Sequence, residues 1–351
     1  MIRYKCTVSY LGRNYAGWQT QKNGNSIQEL IEANIERITG TRTPITASGR
    51  TDAGVSARGQ VFHFDSEKDM NGRKWVSAIN AYLPDDVHVL SVEKAPWRFH
   101  ARHCVRWKKY TYRVNDGPYD VFTKDIAYQC AVPLDDARMH EAAQYLIGKH
   151  DFSALNSSPL SEYPDQVRTV ESIEIVRHGH LVEMTFQAKG FLRYMVRMMS
   201  AAIIEAGKGK IEPIEVKELL DSCDKSHSKR NAPACGLMLE EVNYYDVMAM
   251  SEEAIIREYI LKDETDNLKE KEEHIHNRIF PMHWIVTTRR NNEVLGEAVF
   301  DETGIEILVK EEKDVPLVMT LNKDMKLWLS ENGYEEDTPI RVDMENSLKL
   351  R

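Results

Sequence analysis

The sequence predicts an α+β protein in which two related α/β halves carry antiparallel sheets joined into one large sheet, followed by a small β-rich C-terminal domain. Three observations predict this. A β-α-β-β order is readable twice, with distortions, before about Val247. Apolar residues recur at spacings of three and four in some segments and alternate with polar ones in others. Beyond Val247 the character changes: Ser251 to Arg351 holds 24 acidic and 14 basic residues, a net charge of −10, whereas the preceding 250 residues hold 31 and 32. With 351 residues, 42% of them hydrophobic, the chain is long enough for more than one core.

The elements follow in order. Ile2 to Tyr10 alternates β-formers with polar residues and reads as a strand, and Asn14 to Gln21 is a polar, glycine-containing loop with two aromatics. Ser26 is placed to cap a helix whose apolar face is Ile27, Leu30, Ile31, Ile35 and Ile38, ending near Gly40. Pro44 to Ser48 and Gln60 to Phe64 are strand-like and flank the sharp loop Gly49-Arg50-Thr51-Asp52-Ala53-Gly54. A helix over Arg73 to Leu83 is stopped by Pro84, and strands follow at Val87 to Val92 and Cys104 to Val114. Asp135 caps a helix running to Ile147, and Val170 to Val176 with Leu181 to Gln187 forms a hairpin. Helices are expected at Arg193 to Ala206 and Pro213 to Leu220. Further on, Glu252 to Glu273 and Leu321 to Leu329 read as helices. The runs HWIVTTRR, VLGEAVF, GIEILV and VPLVM read as short strands. The domains expected are therefore 1–115, 116–247 and an acidic appended domain, 248–351.

Composition excludes several classes. The five cysteines (Cys6, Cys104, Cys130, Cys223 and Cys235) are scattered and form no CxxC pair, which argues against a zinc site or a disulfide framework. The opening MIRYKCTVSYLG lacks the apolar stretch of a signal peptide, and no apolar run is long enough to span a bilayer, so the expectation is a soluble, cytoplasmic protein. No ligand cluster suggests a metal or other cofactor.

Three segments could carry chemistry. In Gly49 to Val55 a glycine-flanked loop can hold Asp52 forward with Arg50 two residues away, although Asp-Ala-Gly is equally an ordinary turn sequence. Trp97 to Arg113 interleaves basic and aromatic residues through a strand. There Arg98, Arg102, Arg106, Lys108, Lys109 and Arg113 could meet phosphates while Trp107, Tyr110 or Tyr112 stacks on a base. A solvated strand with its aromatics in the core fits that string as well. Gly190 to Arg197 brings a glycine turn into a helix with Arg193 and Arg197 on one face, which is also what a surface packing helix looks like.

Taken together these strings resemble the tRNA pseudouridine synthase A (TruA) family. GRTDAGV, FHAR followed by KKYTYR, GFLRYMVR and Ala232 to Leu239 occur in that family's order and approximate spacing. Tyr15, Gly17, Trp18 and Gln19, and the string His150 to Ser153, fit too, so the resemblance covers about Ile2 to Tyr245. It implies a pseudouridine synthase fold around a central RNA-binding cleft and an isomerase acting on uridines 38, 39 and 40 of the tRNA anticodon arm. It also implies a homodimer that works without a cofactor. By the same resemblance Asp52 is the catalytic carboxylate, Arg50 assists base flipping and Tyr110 stacks on the uracil. Arg197 pairs with Asp52, and Leu237 borders the base pocket. Arg102, Lys108 and Lys109 are candidates for the RNA backbone. The expectation for Asp52 is a carboxyl pKa lowered by the neighbouring arginine.

Two departures stand out. Many relatives have histidine after GRTDAGV where this chain has Ser56, which predicts altered loop packing or RNA contact rather than lost chemistry. The acidic C-terminal domain should be repelled by an RNA backbone, and so is expected to face away from the cleft and could recruit a protein partner.

Overall fold

The computed structural model describes residues 1–21, 24–96, 99–160, 163–226 and 230–245, and beyond them the backbone of five strands. The chain divides into two compact units, Met1–Met248 and Ala249–Arg351. Among the described residues no helix is long and apolar enough to cross a membrane.

The first unit is built on one large mixed sheet. Strand β1 (Ile2–Tyr10) buries Tyr4, Cys6, Val8 and Tyr10, the alternate residues that make a one-sided strand. Helix α1 (Ile27–Thr39) starts where the Ser26 hydroxyl accepts the Glu29 N–H and stops at Gly40, whose φ of 79° closes the last turn. Its Ile27, Ile31 and Ile35 are fully buried, each contributing roughly 1.5–3 kcal/mol of apolar transfer. A two-residue strand, β2 (Thr46–Ala47), precedes the Asp52 loop, and β3 (Ser56–Ser66) follows it and pairs antiparallel with β1. Helix α2 (Gly72–Asn80) is capped by Asn71 and lodges Trp75 against Tyr4 and Phe64, and β4 (Val87–Ala95) lies on the outer side of β1.

The remaining core elements are β5 (Val105–Asn115), β6 (Tyr128–Gln129), α3 (Asp136–Gln144), β7 (Gly148–Asp151), β8 (Val167–His178), β9 (Leu181–Ala188), α4 (Met195–Gly207), α5 (Pro213–Ser222) and β10 (Leu237–Tyr244). The strand order is β4-β1-β3-β10-β5-β9-β8-β7, with β2 beside β3 and β6 beside β5. Helix α3 ends three residues before the expected Ile147, because Gly148, at φ 109°, turns the chain into β7. Helix α4 buries most of its surface, including Met195, Met199 and Ile203, and packs against α3 and α5.

Strands β6, β7 and β10 have no counterpart in the sequence reading, and β10 is the one that joins the sheet. The sequence reading has no strand there, since Leu237-Met238-Leu239 is an unbroken apolar run followed by Glu240 and Glu241. It runs parallel to β3 (Met238 beside Ser56) and antiparallel to β5 (Leu239 beside Tyr110), with a register shift before Glu241. Its buried apolar start is what a strand covered on both sides requires.

In the second unit the backbone forms a five-stranded sheet in sequence order: β11 (Glu272–Arg278), β12 (His283–Arg290), β13 (Glu293–Asp301), β14 (Gly304–Val309) and β15 (Ile340–Asp343). The first four strands are antiparallel neighbours and β15 is parallel to β14. Register sets Trp284 beside Phe300 and Phe300 beside Ile305. Three of the four expected strand runs coincide with β12, β13 and β14. VPLVM and the expected helix at Leu321 to Leu329 lie outside the described residues. So does the expected helix at Glu252 to Glu273, except Glu272 and Glu273, which open β11.

Candidate active site

The Asp52 loop leaves β2 and enters β3, and several of its backbone groups are held from outside. The Thr51 carbonyl accepts the Trp18 N–H at 3.1 Å, and the Gly54 N–H donates to the Tyr15 carbonyl at 3.3 Å. The Thr51 hydroxyl shares a 2.8 Å hydrogen bond with the Tyr10 hydroxyl. At the loop's start the buried Gln60 amide donates to the Gly49 carbonyl and accepts from the Ser48 hydroxyl. The glycines of the 12–17 segment form the rear wall: a Cβ on Gly12 would lie 2.1 Å from the Val55 carbonyl oxygen. One on Gly17, at φ 100°, would lie 2.6 Å from that of Thr51. Ser56, 1% exposed, accepts the Gly12 N–H at 3.0 Å. Its place is therefore in loop packing, not on an RNA-facing surface.

Facing this loop is the start of α4. The Arg197 guanidinium lies 3.6 Å from the Asp52 carboxylate, and both groups are largely buried. Its Nε donates to the Ala232 carbonyl at 2.8 Å, while the Ala232 N–H donates to the Arg197 carbonyl, so helix and segment 230–236 fix each other. Burial raises the Asp52 carboxyl pKa above its ordinary value, and Arg197 and Arg193 only partly offset it. The expected lowering by arginine is present, but desolvation outweighs it. Tyr194, which precedes α4, has φ 62° and ψ 1°, a left-handed conformation that costs a bulky residue about 1–3 kcal/mol. The guanidiniums of Arg193 and Arg197 each lie 5.0 Å from its ring centroid. The string GFLRYMVR contains Tyr194, but nothing in the sequence signals its backbone conformation.

Tyr110 projects from β5 and is 8% exposed, with Phe191 meeting it edge-on at 5.4 Å. Burial, with Tyr10 and Asp52 nearby, pushes its phenol far upward, so it stays neutral. Leu237 is buried two residue pairs further along, beside Tyr112; the β10 residue beside Tyr110 itself is Leu239. Gly236 lets the Tyr112 ring approach, and that phenol donates to the Pro233 carbonyl at 2.9 Å. Asp52, Arg197 and Tyr110 thus converge from a loop, a helix and a strand.

The basic candidates separate. Arg50 is exposed and makes no hydrogen bond or ion pair among the described residues. Arg102 is also exposed and lies close enough to Lys108 to influence its charge. Lys108 donates from Nζ to the Ser48 carbonyl at 2.6 Å, and only a glycine at 49 leaves room for it. Burial pushes its ammonium down to about 8. Lys109, one residue on, points to the opposite face of the sheet, its ammonium 5.3 Å from the Trp107 ring. Arg98 lies outside the described residues. Beneath the Phe99–Arg102 turn the buried His63 imidazole, pushed down to about 3, accepts the Ala101 N–H and packs edge-on against His100. Among the described residues no group of histidines, cysteines and carboxylates is arranged to hold a metal ion.

Comparison with known proteins identifies the family. A family model described as tRNA pseudouridine synthase matches residues 7–103 and 142–245. The tRNA pseudouridine synthase A of Brevibacillus brevis is 40% identical over 245 residues, which cover 70% of this chain and 100% of the relative. That of Oceanobacillus iheyensis is 41% identical over 246 residues, covering 70% and 97%. The tRNA pseudouridine synthase A 1 of Bacillus cereus is 38% identical, covering 70% and 99%. The matched residues contain the Asp52 loop, all of α4 and the strand that joins the sheet, and the chain belongs to the tRNA pseudouridine synthase A family.

Proposed function

We propose that this chain isomerises uridine to pseudouridine in tRNA, at positions 38, 39 and 40 of the anticodon stem-loop, with Asp52 as the catalytic carboxylate. The observation that carries the reading is the largely buried Asp52 carboxylate 3.6 Å from Arg197, on a loop held rigid from behind. The reaction is redox-neutral: the N1–C1′ bond breaks, the uracil turns, C5 bonds to C1′, the C5 proton leaves and N1 acquires one. A carboxylate can begin this by attacking C1′ or by removing a ribose proton, and either route uses its ionised form. Arg197 keeps that form accessible in a pocket whose burial opposes it.

The target must leave a helical stack, at a cost of a few kcal/mol. Arg50, exposed at the loop's rim, fills the vacated space; Tyr110 stacks on the uracil, with Phe191 bracing it from the side. Leu237 belongs to the apolar wall behind the base. Arg102 lies on the path of the RNA backbone, whereas Lys108 supports the loop and Lys109 lies on the other sheet face. The strands around β1 and those around β9 are the two halves of the cleft, with β10 between them. We further propose that the enzyme acts as a homodimer. Tyr119, Val121 and Phe122 (92% exposed) are held out on a loop braced by Gln129 and Asp120, the arrangement of an aromatic anchor awaiting a partner.

Tritium release from C5-tritiated uridine in unmodified tRNA tests the reading. Release by the wild type and none by Asp52→Asn, with tRNA binding retained, is expected. Release by the variant at the wild-type rate would overturn the role of Asp52.

A further inference from the structure

Among the described residues three non-glycine residues have positive φ: Ala131, Tyr194 and Cys223. Cys223 terminates α5, where a left-handed residue is common. Tyr194 begins a helix instead, where no capping geometry calls for that conformation. The backbone on either side is clamped. The Arg193 N–H donates to the Ser158 hydroxyl, the Arg193 carbonyl accepts the Ser157 N–H, and the Tyr194 carbonyl accepts the Met198 N–H. The result is a half-buried ring with the guanidiniums of Arg193 and Arg197 each 5.0 Å from its centroid.

Both arginines act on Asp52, one at 3.6 Å and the other through its charge. A tyrosine with helical or extended backbone would send its ring elsewhere and leave the two arginines, long and flexible, without a common surface. We infer that Tyr194 is a positioning residue whose ring is the platform that holds Arg193 and Arg197 toward the Asp52 carboxylate. This rests on the reading of Asp52 as the catalytic carboxylate. The other ionisable groups at the site are the phenols of Tyr110 from β5 and of Tyr10 from β1. Both remain neutral through the working pH range, so the acid limb of activity belongs to Asp52 under the charges of Arg197 and Arg193.

The test compares Tyr194→Phe and Tyr194→Asn in the full chain, on an unmodified tRNA transcript, with Asp52→Asn alongside. Phenylalanine keeps the ring; asparagine accepts the left-handed backbone without it, so the fold survives. The phenylalanine variant should match the wild type. The asparagine variant should lose about tenfold or more in kcat with KM little changed, and its acid limb should move to higher pH. An asparagine variant with an unmoved acid limb and wild-type kcat overturns the inference alone, provided the wild type is active and Asp52→Asn is not. An Asp52→Asn variant that retains activity overturns the underlying reading instead.

Discussion

Replacing Lys108 by methionine separates two roles of one buried cation, and the structure supplies the magnitude. The ammonium is displaced from 10.5 to about 8, chiefly by burial, which corresponds to at most about 3 kcal/mol against the folded state at about 1.36 kcal/mol per pH unit. The folded pKa of this base is depressed, so the penalty is fully present below pH 8. Between pH 8 and 10.5 the unfolded chain binds more protons than the folded one, and stability rises with pH as the penalty is relieved. Methionine removes the charge but leaves the Ser48 carbonyl without its donor, a loss of about 1–3 kcal/mol at any pH. At pH 7.5 the two effects nearly cancel; at pH 10.5 only the loss remains. Urea unfolding followed by fluorescence of the buried Trp18 and Trp75 should show the wild type gaining up to about 3 kcal/mol on the variant across that range. Stability curves that run parallel in pH would show that Lys108 carries no such penalty.

The remaining predictions concern the loop and its charges. Arg197→Met should cost about a hundredfold or more in kcat/KM at pH 7, and raising the pH should restore part of it because more Asp52 ionises; a pH–rate profile reads both. Asp52→Asn should raise Tm while abolishing activity, since burial of the carboxylate outweighs its arginine partners; thermal unfolding at pH 7 that shows a lower Tm contradicts the direction. Gly17→Ala places a methyl 2.6 Å from the Thr51 carbonyl at φ 100°, and should cost about 2–4 kcal/mol in urea unfolding and lower kcat more than tRNA affinity. Ending the chain at Met248, the limit of the first compact unit, should leave most tRNA activity, measured by tritium release.

Periodicity made most of the first unit legible. The capped helix with Ile27, Ile31 and Ile35, the hairpin around Gly179 and the glycine-flanked Asp52 loop all carry local signals, because caps, turns and one-sided burial act over a few residues. What escaped depends on contacts distant in sequence. β10 exists because Leu237 to Leu239 is covered on both sides by β3 and β5, which no local pattern in an apolar run of three discloses. Lys108 reads as a phosphate ligand until Ser48, sixty residues away, is seen to take its ammonium. Lys109 is separated from Tyr110 by the pleat alone; strand alternation makes that inferable, but a basic string invites counting all its charges together. Ser56 could be packing or contact by sequence, and only the approach of Gly12 decides it.

Three unfavourable features of the first unit gather around Asp52. A left-handed tyrosine, an ammonium held well below its ordinary pKa and a carboxyl raised above its own all lie within or directly against the structure that carries Asp52. Each lowers stability, and none is needed to form the sheet, whose aromatic core of Tyr4, Phe62, Phe64 and Trp75 is ordinary close packing. Strain of this kind persists only where the surroundings over-determine it, and here they do: Trp18, Tyr15, Tyr10, Gln60 and Ala232 hold the loop and the arginine from four separate segments. The rigidity is therefore on the protein side of the reaction. Under the function proposed above, a carboxylate disfavoured by burial and kept charged by an arginine held in place gains little from rearranging before it acts on a ribose.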